Sequence, residues 1–79
     1  MEVVVRFFAK LREEAGISEL RLEVREGLTL GELLGRLFER KPEGLLVAVN
    51  GEAVGPEELG GVRLKEGDVI DLMPPASGG

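Results

Sequence analysis

In the stretch TLGELLGRLFER, residues 29–40, apolar side chains recur at Leu30, Leu33, Leu34, Leu37 and Phe38. That spacing places them on one face of an α-helix. Thr29, with Glu32 three residues on, reads as a capping box that starts the helix, and Pro42 and Gly44 mark its end. No other segment carries a helix signal of comparable length. The stripe must bury itself against something else, and the remaining pattern is strand. One amphipathic helix against one sheet makes an α+β roll, with the stripe as core rather than a partner groove.

The strands are legible from their alternation. EVVVRFF, residues 2–8, puts Val3, Val5 and Phe7 on one face and Val4, Arg6 and Phe8 on the other. An unpaired arginine is seldom buried, so the second face is the outer one. AKLREEAG follows, with Leu11 and Ala15 four apart and Gly16 suited to a helix C-cap, giving one or two helical turns. SELRLEV alternates Leu20, Leu22 and Val24 inward with Arg21, Glu23 and Arg25 outward, and should pair with the first strand as a hairpin. After the main helix, LLVAV is an apolar strand, Asn50-Gly51 a hairpin turn, and EAV the returning edge strand. GPEELGGVRL reads as a loop with one helical turn. VIDLM is the last strand, with Asp71 marking Val69, Asp71 and Met73 as its outer set. The expectation is a mixed five-stranded sheet with one main helix, a domain over residues 1–73 and a flexible tail over 74–79.

The side-chain inventory excludes most chemistry. The 79 residues contain no cysteine and no histidine, and the only hydroxyls are Ser18, Thr29 and Ser77. A catalytic triad is impossible and a metal site improbable. Glu13-Glu14 and Glu57-Glu58 read as solvated surface without ligand companions, and Gly55, Gly60, Gly61 and Gly67 as turn residues rather than a phosphate loop. With a net charge of −5, scattered basic residues and no tyrosine or tryptophan, nucleic-acid binding is not expected. A basic partner surface is. There is no membrane-length segment and no signal-peptide pattern, so the expected compartment is the cytoplasm and no membrane partner is expected.

The ending MPPASGG, residues 73–79, is the most specific feature. Pro74 and Pro75 end the sheet, since proline cannot donate to a ladder, and project the chain outward. Gly78 and Gly79 lack a Cβ and can thread a narrow channel. The six residues of the tail reach roughly 20 Å when extended, and no core contact is expected of them. This ending, RFFAKLREEAG near the start and EVREGLTLGELLGRL in the middle together resemble the MoaD/ThiS family of ubiquitin-like sulfur carriers, most closely its molybdopterin synthase small subunits. The resemblance covers essentially the whole chain and implies a β-grasp fold.

It also implies a mechanism. A ubiquitin-activating-like (MoeB-like) adenylating enzyme would use ATP to convert the Gly79 carboxylate into an acyl-adenylate. A sulfur donor would turn this into a thiocarboxylate, which the large synthase subunit (MoaE-like) would use in forming the molybdopterin dithiolene for molybdenum cofactor biosynthesis. The carrier itself would bind no cofactor and would not be catalytic alone. On the outer face, Arg6 and Asp71 are placed to pair if the first and last strands are neighbours. Phe8 and Met73 would then form an apolar patch at the root of the tail, which, with the loop residue Leu59, the resemblance assigns to large-subunit binding. Three alternatives remain: a ubiquitin-like modifier of protein lysines, a carrier for thiamin or tRNA thiolation, and a binding domain with an inert tail.

Overall fold

The computed structural model describes residues 1–75. In chain order it contains β1 (Glu2–Phe7), α1 (Ala9–Ala15), β2 (Glu19–Glu23), α2 (Leu30–Leu37), β3 (Leu46–Val49), β4 (Glu52–Val54), a 3₁₀ turn (Pro56–Gly61) and β5 (Val69–Met73). The strands form one five-stranded sheet in the order β2-β1-β5-β3-β4. β1 runs parallel to β5, and every other neighbouring pair is antiparallel. The sheet is therefore mixed, with the first and last strands adjacent at its centre.

The alternation read from the sequence sets the two faces. Val3, Val5, Ile70 and Leu72 are fully buried, and Leu30, Leu33 and Leu34 of α2 cover them from one side. Phe7, Leu28, Val47, Leu59 and Leu64 complete the same core. Removing a leucine of this kind from water contributes about 1.5–3 kcal/mol, so the α2 stripe is a main source of stability.

The local signals behave as their chemistry requires. The Thr29 hydroxyl accepts from the Glu32 N–H at 3.1 Å while the Glu32 carboxylate accepts from the Thr29 N–H at 3.0 Å, which closes the capping box in both directions. Gly16 caps α1 in the left-handed region at φ 77°. Asn50 and Gly51 both have positive φ, 50° and 87°, as a type I′ hairpin turn demands. Asn50 has a second duty. Its amide donates to Asp68 at 2.9 Å and its carbonyl oxygen accepts from the Val69 N–H at 3.0 Å, tying the β3–β4 hairpin to the turn that begins β5.

One expectation is corrected. The helix expected to continue through residue 40 ends at Leu37, and Phe38 is its C-cap in extended conformation. The next three residues, Glu39, Arg40 and Lys41, have no apolar group to bury, and Pro42 disfavours helical geometry at Lys41. Phe38 instead leans on the core from outside the helix.

Candidate functional site

The register of the central strands builds the outer face row by row. Arg6 on β1 lies beside Asp71 on β5, and Asp71 lies opposite Ala48 on β3. Arg6 Nε donates to Asp71 Oδ1 at 2.6 Å and Nη2 to Oδ2 at 2.9 Å, a bidentate pair. This hydrogen-bonded carboxylate raises the pKa of the Arg6 guanidinium, which is a cation in any case. Arg6 also lies 5.7 Å above the centre of the Phe8 ring, within cation–π range. The pairing expected between Arg6 and Asp71 is present, and it holds the Arg6 guanidinium beside the Phe8 ring.

One step along the strands lies an apolar row. Phe8 follows β1, and its N–H donates to the Leu72 carbonyl at 3.1 Å, extending the ladder. Met73 stands at the next position of β5, and Leu46 of β3 is directly opposite Met73. Phe8 is 38% exposed and Leu46 49%, although both are large and apolar. Together with Ala9, Lys10, Pro74 and Pro75 they line one open groove at the point where the chain leaves the sheet. α1 turns away immediately after Phe8, through Ala9 at φ 52°, and leaves this row uncovered.

The structure thus brings together Phe8, Met73, Pro74 and Pro75, but not Leu59. That side chain is 8% exposed and belongs to the core, because the 3₁₀ turn packs its backbone against α2 at Gly31 and points Leu59 inward. Leu46 is the residue the sequence did not disclose. All five positions of LLVAV are apolar, so no polar residue marks which of them face out. Gly78 and Gly79, expected to carry the threading and the reactive carboxylate, lie outside the described residues. Pro75 makes a contact that the sequence did not disclose: it packs against Gly44, in the turn before β3.

Lys10 carries the one ionisable side chain among the described residues lining this groove. Among the described residues, no three His, Cys, Asp or Glu side chains converge on a point that could hold a metal ion. The first turn of the 3₁₀ segment uses Glu58 structurally, its carboxylate accepting from the Gly55 N–H at 3.1 Å. Among the described residues, no helix is long and apolar enough to cross a membrane. What the arrangement can do is dock an apolar partner surface beside the departing chain.

Comparison with known proteins gives a consistent set. A family model described as the ThiS family matches residues 5–79. A molybdopterin synthase sulfur carrier subunit from Chlamydomonas reinhardtii is 34% identical, with both chains covered over their full lengths. The crystal structure of SAMP1, small archaeal modifier protein 1, from Haloferax volcanii superposes with a TM-score of 0.82 at 29% identity over the whole of both chains. A chain in the complex of subunits 1 and 2 of the molybdopterin-converting factor from Helicobacter pylori does so with a TM-score of 0.70 at 31% identity, again over both full lengths. The shared fold is the ubiquitin-like β-grasp.

Proposed function

The chain belongs to the ThiS family of sulfur carriers, and on that footing we propose that it is the sulfur carrier subunit of a molybdopterin synthase, working in the cytoplasm. The observation that carries this reading is the uncovered row of Phe8, Met73 and Leu46 at the root of Pro74-Pro75, directly upstream of Ala76-Ser77-Gly78-Gly79. The names of the Chlamydomonas relative and of the Helicobacter complex support it. The apolar row docks on the large subunit, and the Gly-Gly end enters that subunit's active site.

The chemistry resides in the terminal carboxylate of Gly79. A carboxylate is a poor electrophile. A partner adenylating enzyme transfers AMP from ATP to it, releasing pyrophosphate and forming an acyl-adenylate. A sulfur nucleophile then attacks the acyl carbon and expels AMP, leaving the thiocarboxylate. The chain has no cysteine, so the sulfur comes from an external donor. The thiocarboxylate sulfur next attacks a carbon of the pterin precursor in the large subunit and displaces an oxygen substituent from it; water then cleaves the acyl–sulfur bond, leaving the sulfur on the pterin and returning the carboxylate. The absence of histidine and cysteine is no obstacle, because the carrier contributes a terminus and a docking face rather than acid–base side chains.

The test is intact mass after incubation with ATP, a MoeB-like adenylating enzyme and sulfide. The expected gain corresponds to one oxygen-to-sulfur exchange at Gly79. The likeness to SAMP1 favours one second reading, a modifier that forms isopeptide bonds through the same adenylate. Lysine conjugates with no thiocarboxylate in the same reaction would select that reading. A thiocarboxylate that serves thiamin or tRNA thiolation but not molybdopterin formation would keep the carrier and change its acceptor.

A further inference from the structure

β3 and β5 pair antiparallel, with Val47 opposite Leu72 and Leu46 opposite Met73. Carried two residues further, that register sets Gly44 opposite Pro75. The hydrogen-bond ladder stops there, because neither Pro74 nor Pro75 has an N–H to give. The packing continues. A Cβ built on Gly44 would lie 2.9 Å from Pro75 Cβ and 3.2 Å from its Cγ, closer than side chains normally approach. Gly44 also has φ 75°, in the turn where the Leu45 N–H donates to the Pro42 carbonyl at 3.3 Å. Two separate demands fall on one residue: the turn needs a positive φ, and Pro75 needs bare backbone. Gly67 meets only the first, since its φ is 83° and a Cβ there would find nothing within 4 Å.

We infer that Gly44 is a positioning residue for the chain end: its backbone seats the Pro75 ring, and that seat sets the direction in which the chain leaves the sheet at Pro75. The consequence for transfer rests on the carrier reading; the seat itself does not. Consecutive prolines make a stiff segment, so a rotation at Pro75 swings everything beyond it. The four residues beyond Pro75 can span at most about 13 Å, so the direction taken at Pro75 decides which volume Gly79 can reach. A misplacement of about 1 Å can cost on the order of 10²-fold in rate.

The experiment uses the full chain. Ser77→Cys supplies its single thiol, and a nitroxide there maps the tail by broadening nearby backbone amide signals. Gly44→Ala should redistribute that broadening, whereas Gly67→Ala, with a comparable φ but no collision, should not. Pro75→Gly should redistribute it too, and adding Gly44→Ala on that background should change nothing more. In the label-free protein, single-turnover sulfur transfer at saturating large subunit should fall about tenfold or more for Gly44→Ala. The half-saturating concentration should stay unchanged. An unaltered pattern in folded Gly44→Ala, an equal redistribution in Gly67→Ala, or additive effects of Gly44→Ala and Pro75→Gly overturns the inference. Should Gly44→Ala fail to fold, an unaltered pattern in Pro75→Gly overturns it instead. If the labels respond as expected while wild type takes up no sulfur, the carrier reading fails and the seat stands.

Discussion

Glu32 holds three partners at once: the Thr29 N–H, the Thr29 hydroxyl and Arg25 Nη2, the last at 2.8 Å. The Thr29 backbone bond, ahead of the hydroxyl and the nearby Arg25 and Arg36, holds its carboxyl below the usual glutamate range. A carboxylate whose pKa is lower folded than unfolded stabilises fully above its unfolded pKa, about 4.3, and loses that contribution as pH falls through the folded value. The thermal midpoint of wild type should therefore exceed that of Glu32→Gln at neutral pH, and the gap should narrow as pH drops below about 4. A gap independent of pH would show that the ionised cap contributes nothing. Leu46 makes the second residue-scale prediction. It is 49% exposed, so Leu46→Asp should leave the fold intact. It should weaken large-subunit binding by about 2 kcal/mol or more if the apolar row is the anchor, and Phe8→Asp should do the same. Ile17, also exposed but outside that groove, provides the control, since Ile17→Asp should bind normally. Equal titration curves for Leu46→Asp and wild type would remove this row from the interface.

At the scale of elements, α2 should respond to a cavity beneath it. Leu34 is 2% exposed, and Leu34→Ala should cost about 2–5 kcal/mol in a denaturant titration. A value well under 1 kcal/mol would mean that the stripe does not hold the sheet. Asn50→Gly isolates a different contribution. Glycine tolerates the left-handed φ, so the backbone is spared while both side-chain hydrogen bonds to the β5 turn are lost. A loss of about 1–3 kcal/mol is expected, because Asp68 is largely buried and its carboxylate then keeps the bond from the Lys65 N–H but loses the one from Asn50. These elements also show what was legible beforehand. The start of α2, the faces of β1 and β5 and the Asn50-Gly51 turn are encoded by local chemistry, and each was read from a few neighbouring residues. The end of α2 was not, because charged residues tolerate helix and coil alike on a solvated surface. The exposure of Leu46 and the burial of Leu59 depend on which elements lie above them. A uniformly apolar run and a glycine-flanked loop carry no mark of that. The Asn50–Asp68 tie and the Gly44–Pro75 seat join residues far apart in sequence, so no local pattern announces them.

On the carrier reading, the molecule as a whole separates stability from chemistry along its length. Among the described residues, every member of the buried apolar core lies between Val3 and Leu72, and the last strand ends at Met73. Beyond that, the described chain contributes Pro74 and Pro75 to an exposed groove. Deleting Gly79 should leave the denaturation midpoint unchanged. The same deletion should abolish sulfur transfer, because the new terminus is one residue short, about 3.5 Å, of the point where the thiocarboxylate must meet its acceptor. Gly78→Val keeps the length and changes the width. Its β-branched side chain restricts φ and ψ and thickens a segment that, on the carrier reading, passes close to another protein's backbone, so stability should hold while activation or transfer falls sharply. Mass spectrometry first establishes how much thiocarboxylate each variant carries, and single-turnover transfer is then measured on the loaded fraction. That order divides a failure to be activated from a failure to deliver. Wild-type turnover by the Gly79-deleted chain would defeat the carrier assignment, since the reactive group would then lie elsewhere. Normal turnover by Gly78→Val alone would defeat only the narrow passage and leave the terminal carboxylate as the site of chemistry.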